Sequence, residues 1–293
     1  MPTRPEGLGA FAPAKINLFL HVGDKRADGF HDLESLVVFA RTGDELHFER
    51  APALSLKVVG PFASKLGLEP DNLVLRAARA LCAEAGIEAT AKITLTKNLP
   101  VASGIGGGSA DAAATLKGLN ELWDLGLSQE GLFEVAAQLG SDVPVCVASE
   151  PAWMEGRGER IMLLGKVARL PIVLVNPGVA VPTGKVFAAL NERRGMGVEP
   201  PEALDDPGAL LAFLESTTND LEAPAKALAP EIGDALSVLA ASPGVVFCRM
   251  SGSGATCFAL FADDDAADRA AATLAERFPA WWVMRSQIGG AGP

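Results

Sequence analysis

The chain has 293 residues, and its 36 acidic residues outnumber its 25 basic ones to give a formal net charge of −11. An acidic chain lacks the basic face on which nucleic acids bind, so no nucleic-acid partner is expected. Its longest uncharged run, residues 170–184, is broken by three prolines and is too short to span a bilayer, so no membrane partner is expected. The first ten residues match neither a signal nor a transit peptide, which predicts a cytoplasmic location.

The apolar patterns and turn residues predict a fold of the α+β class, with strands and helices partly segregated. In the first half, the predicted strands are 16–22, 33–40, 45–50, 54–59 and 92–96, with Gly-Asp turns such as Gly43-Asp44 and Pro-containing turns between the first four. The predicted helices are 72–85, 110–123 and 129–139. Asp71 is predicted to cap the first of these helices and Ser128 the last.

The second half of the chain continues this mixture of strands and helices. Its predicted strands are 171–176, 245–250, 256–261 and 281–286, and its predicted helices are 183–190, 208–215, 225–240 and 264–277. Residues 191–207 are rich in Gly and Pro, which predicts a surface loop. A domain boundary is predicted between residues 157 and 158.

The cysteines and histidines do not form a metal or disulfide pattern. The four cysteines, Cys82, Cys146, Cys248 and Cys257, lie among apolar neighbours without a Cys-x-x-Cys pair. Buried thiols are therefore expected, and no metal ligands are predicted.

The glycine-rich segment LPVASGIGGGSADAA, at 99–113, is the most informative stretch. Glycines allow the backbone to approach an anion, and the start of a helix offers unpaired N–H groups, so the segment predicts a phosphate cradle; a flexible turn is the alternative. No lysine lies between Lys97 and Lys117, which excludes a Walker A loop. Ser109 stands where a dinucleotide-binding pattern that starts at Gly104 would need its last glycine.

Three segments in order resemble the motifs of one kinase superfamily, that of galactokinase, homoserine kinase, mevalonate kinase and phosphomevalonate kinase. They are APAKINLFLHV at 12–22, the glycine-rich segment itself, and MSGSGATCFALF at 250–261. Residues 13–36 and LGSDVPVCV at 139–147 are similar to the branch that acts on a cytidine diphosphate derivative of a methylated tetritol, in the non-mevalonate isoprenoid pathway. The resemblance implies a two-domain small-molecule kinase fold with the active site in the inter-domain cleft. Residues 1–157 would then form the N-terminal ATP-binding domain and residues 158–293 the C-terminal domain.

The resemblance also implies ATP-dependent phosphorylation of the 2-hydroxyl of that alcohol, with ATP and Mg²⁺ as cofactors. Lys15 and Asp142 match the two catalytic positions, with Asp142 as a general base and Lys15 stabilising charge. Without the resemblance, the sequence favours a turn or helix-cap residue for Asp142 and a solvated lysine at a strand end for Lys15. The residues predicted to bind ATP are Pro100, Val101, Ala102, Ser103, Gly104, Ile105, Gly106, Gly107, Gly108, Ser109, Ala110, Asn72, Leu73 and Lys97.

Two of these predictions keep an alternative at this point. Lys97 either reaches a phosphate of ATP or is a surface lysine at a strand end. Ser109 is the best hydroxyl to face Mg²⁺ or the phosphates. The metal ligands stay unknown. The glycine turn at 251–256 approaches the glycine-rich segment or the acceptor, or is only a tight hairpin.

The resemblance places the acceptor on Asn17, Phe30, His31 and Phe187. Phe30 and Phe187 would stack on the two faces of cytosine, and His31 would read its edge. The family carries Gly-Tyr-His where this chain has Gly29-Phe30-His31, and the chain contains no tyrosine. In the alternative structural interpretation, Phe30 anchors a loop, His31 lies in a turn and Phe187 belongs to the core face of a helix.

Two other functions stay open from the sequence alone: a different small-alcohol kinase, such as a mevalonate or homoserine kinase, and a nucleotide-binding regulator without catalysis. The segment ADGFHDLESL at 27–36 favours the cytidine branch, and the presence of both Lys15 and Asp142 favours an enzyme. A monomer or a weak homodimer is expected.

Overall fold

The computed structural model describes residues 7–66, 72–201 and 203–289. The chain forms two compact units, each built from three stretches: 1–14, 43–101 and 106–149 in the first, and 15–42, 102–105 and 150–293 in the second. The division of the chain into domains at 157 and 158 stays a prediction.

The strands and helices occur largely in separate runs along the chain, as predicted for the α+β class. The strands are β1 (Leu8–Asn17), β2 (His21–Lys25), β3 (His31–Arg50), β4 (Ser55–Val59), β5 (Ala91–Thr96), β6 (Ala152–Gly156), β7 (Arg160–Leu163), β8 (Leu170–Asn176), β9 (Val245–Met250), β10 (Cys257–Phe261) and β11 (Trp282–Ile288). The α-helices are α1 (Leu73–Ala85), α2 (Gly107–Trp123), α3 (Gln129–Ala137), α4 (Val143–Ala148), α5 (Thr183–Ala188), α6 (Pro207–Ser216), α7 (Glu222–Leu228), α8 (Glu231–Ala240) and α9 (Asp264–Arg277).

The first unit packs helices α1–α4 with strands β4, β5 and the end of β3. β5 lies between its neighbours, antiparallel to residues 45–50 of β3 and parallel to β4. Its buried residues Ala91, Ile93 and Leu95 alternate with more exposed ones, which is the pattern of a strand with one face on the core. This unit therefore supports the start of α2, where the glycine-rich segment ends.

The second unit contains a four-stranded antiparallel sheet in the order β11-β8-β10-β9. Every residue of β8 and of β10 is buried, as expected for the central strands of a covered sheet. The first part of β3 pairs with β2 on one side and β6 on the other, and β7 continues beyond β6. The hairpin of β2 and β3 carries Phe30 and His31.

Two strands predicted within 33–50 are one continuous strand, so the Gly43-Asp44 turn expected there is wrong. A Cβ at Gly43 would meet the Ala12 carbonyl oxygen, so glycine permits close approach of β1 at this point. Asp44 is fully buried, and its carboxylate accepts hydrogen bonds from the backbone N–H groups of Asn98 and Leu99. A Gly-Asp pair that is typical of a turn here serves packing and a buried hydrogen-bond network.

Other element boundaries also differ from the prediction. The helix predicted over 225–240 is two helices, because Pro230 lacks an N–H group and Ala229 before it is extended, with φ −143° and ψ 90°. The strand predicted over 16–22 is interrupted between Asn17 and His21. Helix α4 and strands β6 and β7 were missed, because their short apolar runs lack a clear period.

Several sequence predictions are confirmed. Helix α1 forms, but its N-cap is Asn72, whose side chain accepts from the N–H of Val74; the predicted cap, Asp71, lies outside the described residues. Ser128 caps α3, and residues 191–201 form no helix or strand. The four cysteines are free thiols, three of them buried and Cys248 half-buried. Within the described ranges, no helix is both long and apolar enough to cross a membrane.

Candidate functional site

The first half of the glycine-rich segment is held by the turn at 251–254, within the second unit. A Cβ at Gly104 would meet the Ser251 carbonyl oxygen and lie 2.7 Å from the Gly254 nitrogen, and Gly104 has a φ of +75°, so both space and conformation require glycine. Ser251 donates its hydroxyl to the Gly104 carbonyl at 3.0 Å, and Thr256 donates its N–H to the Ser103 carbonyl at 3.1 Å. The turn at 251–256 therefore approaches the glycine-rich segment, as predicted, and is not only a tight hairpin.

The remaining predicted residues of this half differ in exposure. Pro100, Ser103 and Ile105 are buried, Val101 is half-buried, and Ala102 is exposed with a φ of +51°.

The second half of the segment, in the first unit, is the start of a long helix. α2 begins at Gly107, three residues earlier than predicted, after Gly106 as N-cap with a φ of +63°. The first turn of a helix carries N–H groups without intrahelical partners and the positive end of the helix dipole. Gly108 is exposed, and among the described residues no atom outside the helix approaches the position of its missing Cβ within 4 Å. This side of the helix start is open to an anion, with half-buried Ser109 next to it.

Gly107 faces the opposite way, into the protein. A Cβ there would lie 3.2 Å from Lys97 Nζ and 3.7 Å from Asp44 Oδ2. The glycines of the triplet therefore have different tasks: Gly108 leaves space outside, and Gly107 allows close packing against buried charged groups.

Those charged groups form a buried ion cluster of Lys97, Asp44 and Asp111. Lys97 Nζ lies 2.5 Å from Asp44 Oδ2 and 2.6 Å from Asp111 Oδ2, and its side chain is 1% exposed. The interpretation of Lys97 as a surface lysine is therefore wrong, while its role in binding ATP stays a prediction.

The cluster contains two carboxylates for one ammonium, and this imbalance appears in its titration. Burial raises the pKa of Asp111 to about 7, Lys97 acts against the rise, and Asp44 adds to it. Burial alone would lower the pKa of Lys97, but the two carboxylates outweigh it and raise that pKa. Asp111 Oδ1 is buried without a hydrogen-bond partner among the described residues. The cluster therefore holds a proton that titrates near neutral pH.

The two predicted catalytic residues lie in different units. Lys15 is in β1 and is only 3% exposed, which rules out a solvated strand-end lysine, and its N–H donates to the Ile105 carbonyl at 3.0 Å. Asp142 is half-buried and occupies the N-cap position of α4 without a side-chain capping bond. Asp142 therefore lies in a turn at a helix start, as its structural interpretation states, and its catalytic role stays a prediction.

Asn17 joins strand β1 to the turn at 251–254. Its N–H donates to Ser251 Oγ at 3.1 Å, and its side-chain Nδ2 donates to Ser35 Oγ at 2.8 Å. Asn17 is buried, so its amide is held in a fixed orientation.

Two of the three residues predicted to bind cytosine, His31 and Phe187, contact each other within the second unit. The rings of His31 and Phe187 stack with centroids 5.6 Å apart. This is closer than the ~7 Å that a base between two rings would need, so these rings contact each other directly. Phe30 is 53% exposed, and the Arg157 guanidinium lies over its ring at 5.2 Å.

The hydrogen bond of His31 determines its tautomer. Nδ1 lies 3.1 Å from the Gly23 carbonyl oxygen, and because a carbonyl only accepts, Nδ1 carries the proton. In the neutral ring Nε2 is then an acceptor, suited to an amino group such as the one on cytosine.

Sequence reasoning missed Asp44, Asp111 and Arg157. Asp44 was read as a turn residue, and Asp111 lay in a run of helix formers without a distinguishing pattern. A possible signal was Asp111 itself, an acid on the apolar face of a helix. Within the described residues, no group of three or more His, Cys, Asp or Glu side chains is arranged to hold a metal ion.

Comparisons with known proteins agree with the three motifs. The model of the GHMP kinases N terminal domain matches residues 72–150, and the model of the GHMP kinases C terminal matches residues 202–280. The 4-diphosphocytidyl-2-C-methyl-D-erythritol kinase of Parvibaculum lavamentivorans is 52% identical over 285 residues, which cover 95% of this chain and 97% of the relative. The kinase of the same description from Cereibacter sphaeroides is 53% identical, with 96% of this chain and 99% of the relative covered.

Solved structures give the same result for the fold. A crystal structure of 4-(cytidine 5'-diphospho)-2C-methyl-D-erythritol kinase superposes with a TM-score of 0.77 at 32% identity and covers 97% of this chain and 100% of that one. Homoserine kinase from Cytophaga hutchinsonii superposes with a TM-score of 0.74 at 18% identity, covering 99% and 97% of the two chains. The second likeness concerns the fold alone.

Proposed function

The chain belongs to the GHMP kinases, and we propose that it phosphorylates the 2-hydroxyl of 4-diphosphocytidyl-2-C-methyl-D-erythritol with ATP, in the non-mevalonate isoprenoid precursor pathway. It has the two-domain small-molecule kinase fold of that family and is an ATP-dependent kinase. The observation that supports this substrate is the sequence identity with kinases of that description, which extends to about half of all positions over nearly the whole chain.

The nucleotide phosphates are proposed to lie on the open side of the α2 start. Gly108 leaves room there, and the N–H groups of the first turn, aided by the helix dipole, favour negative charge. Residues 100–110 are proposed to line the nucleotide, together with Asn72, Leu73 and Lys97. The arrangement of Gly108 supports this proposal because a side chain at that position would occupy the space a phosphate needs.

Asp142 is proposed to accept the proton of the acceptor hydroxyl. The hydroxyl oxygen then forms a bond to the γ-phosphorus, the bond from that phosphorus to the bridging oxygen breaks, and ADP leaves. Lys15 is proposed to stabilise the negative charge that builds up on the transferring group. Its burial supports this role, because a charge interaction is stronger away from water.

Magnesium would neutralise charge on the phosphates of the bound nucleotide. Mg²⁺ keeps several of its waters and binds mainly through substrate phosphates, so it needs few ligands from the protein. Ser109 is the proposed protein hydroxyl on the metal or the phosphates.

Cytosine is proposed to stack on Phe30 and Phe187 and to be read by His31. Because Nδ1 of His31 donates to Gly23, its Nε2 accepts from the exocyclic amino group of cytosine. Uracil carries a carbonyl oxygen at that position and would bring two acceptors together. Asn17 is proposed to contact the acceptor from the end of β1.

The test is a phosphoryl-transfer assay with the purified chain, ATP and Mg²⁺, offering the cytidine alcohol, its uridine analogue, mevalonate and homoserine in separate reactions. Mass spectrometry identifies the product, and ATP hydrolysis without an acceptor serves as the background. Phosphorylation of the cytidine alcohol well above the other three is expected. Preferred transfer to mevalonate or homoserine would overturn the substrate, and ATP binding without transfer to any acceptor would favour a regulator. The cytoplasmic location and the monomer or weak homodimer stay predictions.

A further inference from the structure

The loop after α5 is fastened to the β2–β3 hairpin by its residues 193–198, here called the strap. Arg193 NH1 donates to the Gly23 carbonyl at 3.0 Å and to Asp24 at 3.0 Å. The N–H groups of Gly197 and Val198 donate to the buried Glu34 carboxylate, both at 3.1 Å. The strap is therefore held at two points of the hairpin that carries Phe30 and His31.

Glycine makes the second of these points possible. Gly197 has a φ of +102°, a conformation that side chains disfavour, and this turn brings two successive N–H groups to one carboxylate. Between the two points, Met196 packs on the hairpin: a Cβ at Gly23 would lie 3.0 Å from Met196 Cγ.

The Gly23 carbonyl oxygen accepts from two side chains at once. His31 Nδ1 lies 3.1 Å away and Arg193 NH1 3.0 Å away, so its two lone pairs are both used. The pairing of β2 with β3 is regular at Val22–Leu33, and its register shifts before the next pair, Lys25–His31. Gly23 lies in this irregular part, so the hydrogen bonds between the two strands do not fix the orientation of its peptide. Arg193 supplies the contact that holds this carbonyl towards His31.

We propose that Arg193 is a positioning residue for His31: by fixing the Gly23 carbonyl it keeps the proton on Nδ1 and presents Nε2 as an acceptor to the nucleobase of the acceptor alcohol. This inference rests on the proposed function for its consequence in specificity, but not for the state of the His31 ring. The contact of Arg193 with Asp24 contributes little, because Asp24 is fully exposed and its pair with Arg193 is screened by water.

The first readout needs no substrate: the ¹⁵N shifts of the His31 ring nitrogens in the full chain, which separate a protonated nitrogen from one with a lone pair. The chain has three histidines, so the spectrum of His31→Gln assigns the signals. In the unsubstituted chain Nδ1 is expected to carry the proton. Arg193→Gln should give a mixture of both tautomers, and Arg193→Lys, which keeps a cationic donor, should restore part of the Nδ1–H form.

Two further variants complete the design. Arg194→Gln is the matched control, because Arg194 meets Asp220 through its backbone N–H, and this variant should keep the original spectrum. Glu34→Gln releases the other end of the strap and should shift the His31 signals in the same direction as Arg193→Gln. Circular dichroism checks that each variant is folded. An unchanged His31 tautomer in folded Arg193→Gln overturns the proposal.

The kinetic readout extends the test to specificity. Arg193→Gln is expected to raise KM for the cytidine alcohol about fivefold to tenfold, as the loss of one hydrogen bond would, with kcat and KM for ATP within about twofold. Should the unsubstituted chain not phosphorylate the cytidine alcohol, the proposed function fails while the ring spectra still decide the role of Arg193. A normal KM in Arg193→Gln, in a chain that does prefer cytidine, contradicts the positioning role alone.

Discussion

The start of α2 and the hairpin that carries His31 are built in opposite ways. The helix start is backbone over a buried ion cluster. Its outer surface, the proposed phosphate site, consists of N–H groups and of Gly108, whose missing Cβ would meet no described atom outside the helix. The hairpin presents exposed side chains, and its shape depends on hydrogen bonds from residues about 170 positions away, such as Arg193. The phosphates of ATP are common to every reaction of this kinase family, so their site can be made of backbone, whereas recognition of one nucleobase needs particular side chains.

The largest expected effect belongs to the chemical step, which both regions serve. Asp142→Asn should lower kcat by ~10²–10⁴ because an amide cannot take the proton of the hydroxyl, while ATP affinity measured by calorimetry stays the same. Asp205→Asn, an exposed change, is the control. Turnover of Asp142→Asn within about tenfold of the original would exclude the general base. Lys15→Ala should act in the same direction.

Removing the lysine of the ion cluster should have the largest effect on the free energy of unfolding. Lys97→Met leaves two buried carboxylates without their cation and should cost ~3–5 kcal/mol of unfolding free energy, measured by urea denaturation. Lys92→Met removes the exposed pair with Glu49, at 2.7 Å, and should cost less than about 1 kcal/mol. Equal costs for the two variants would show that the cluster does not support the helix start.

Substitution of the two glycines at the start of α2 should have different effects: one change should weaken ATP binding, and the other should lower the stability of the fold. Gly108→Val places a side chain in the proposed phosphate space and should weaken ATP binding by about tenfold or more, which is ~1.4 kcal/mol, with little loss of stability. Gly107→Val should mainly destabilise the fold, because its side chain would meet Lys97. Calorimetry and thermal unfolding of both variants give the comparison. Normal ATP affinity in Gly108→Val would move the phosphates elsewhere.

The most gradual effect is the pH dependence of the stability that the ion cluster contributes. The folded pKa of Asp111, about 7, lies above its unfolded value near 4, so the folded state binds the extra proton and its contribution is lost as the pH rises through 7. Asp111→Asn imitates the protonated form, and the original chain should lose stability relative to it between pH 5 and pH 8, by at most ~1.4 kcal/mol per pH unit. Urea midpoints at four pH values test this, and parallel curves for the two proteins would contradict it.

Sequence reasoning worked best where a contact is local. The glycine-rich segment leads into a helix as predicted, and Ser128 caps α3 as predicted, because a cap bonds to residues two or three positions away. It failed for Asp44, whose partners lie 53 to 55 positions along the chain, since a Gly-Asp pair carries no trace of them. The pattern of three glycines also could not tell which one faces outward, because that depends on what packs beneath the helix.

The β2–β3 hairpin also shows what a single sequence does not predict. Family resemblance pointed to Phe30, His31 and Phe187, but only the structure reveals that His31 and Phe187 stack on each other and that the Gly23 carbonyl serves both His31 and Arg193. Contacts between a hairpin and a distant loop have no period and no motif. They follow from the fold, and single-sequence patterns do not describe them.

The proposed selection of a cytidine-bearing alcohol rests on His31. The direct measurement is the ratio of kcat/KM for the cytidine alcohol to that for its uridine analogue, in the unsubstituted chain and in His31→Ala, with the exposed His47→Ala as control. We expect a clear preference for cytidine in the unsubstituted chain and in the control, and a loss of about tenfold or more of that preference in His31→Ala. No preference in the unsubstituted chain, or the same preference in His31→Ala, would contradict this role of His31.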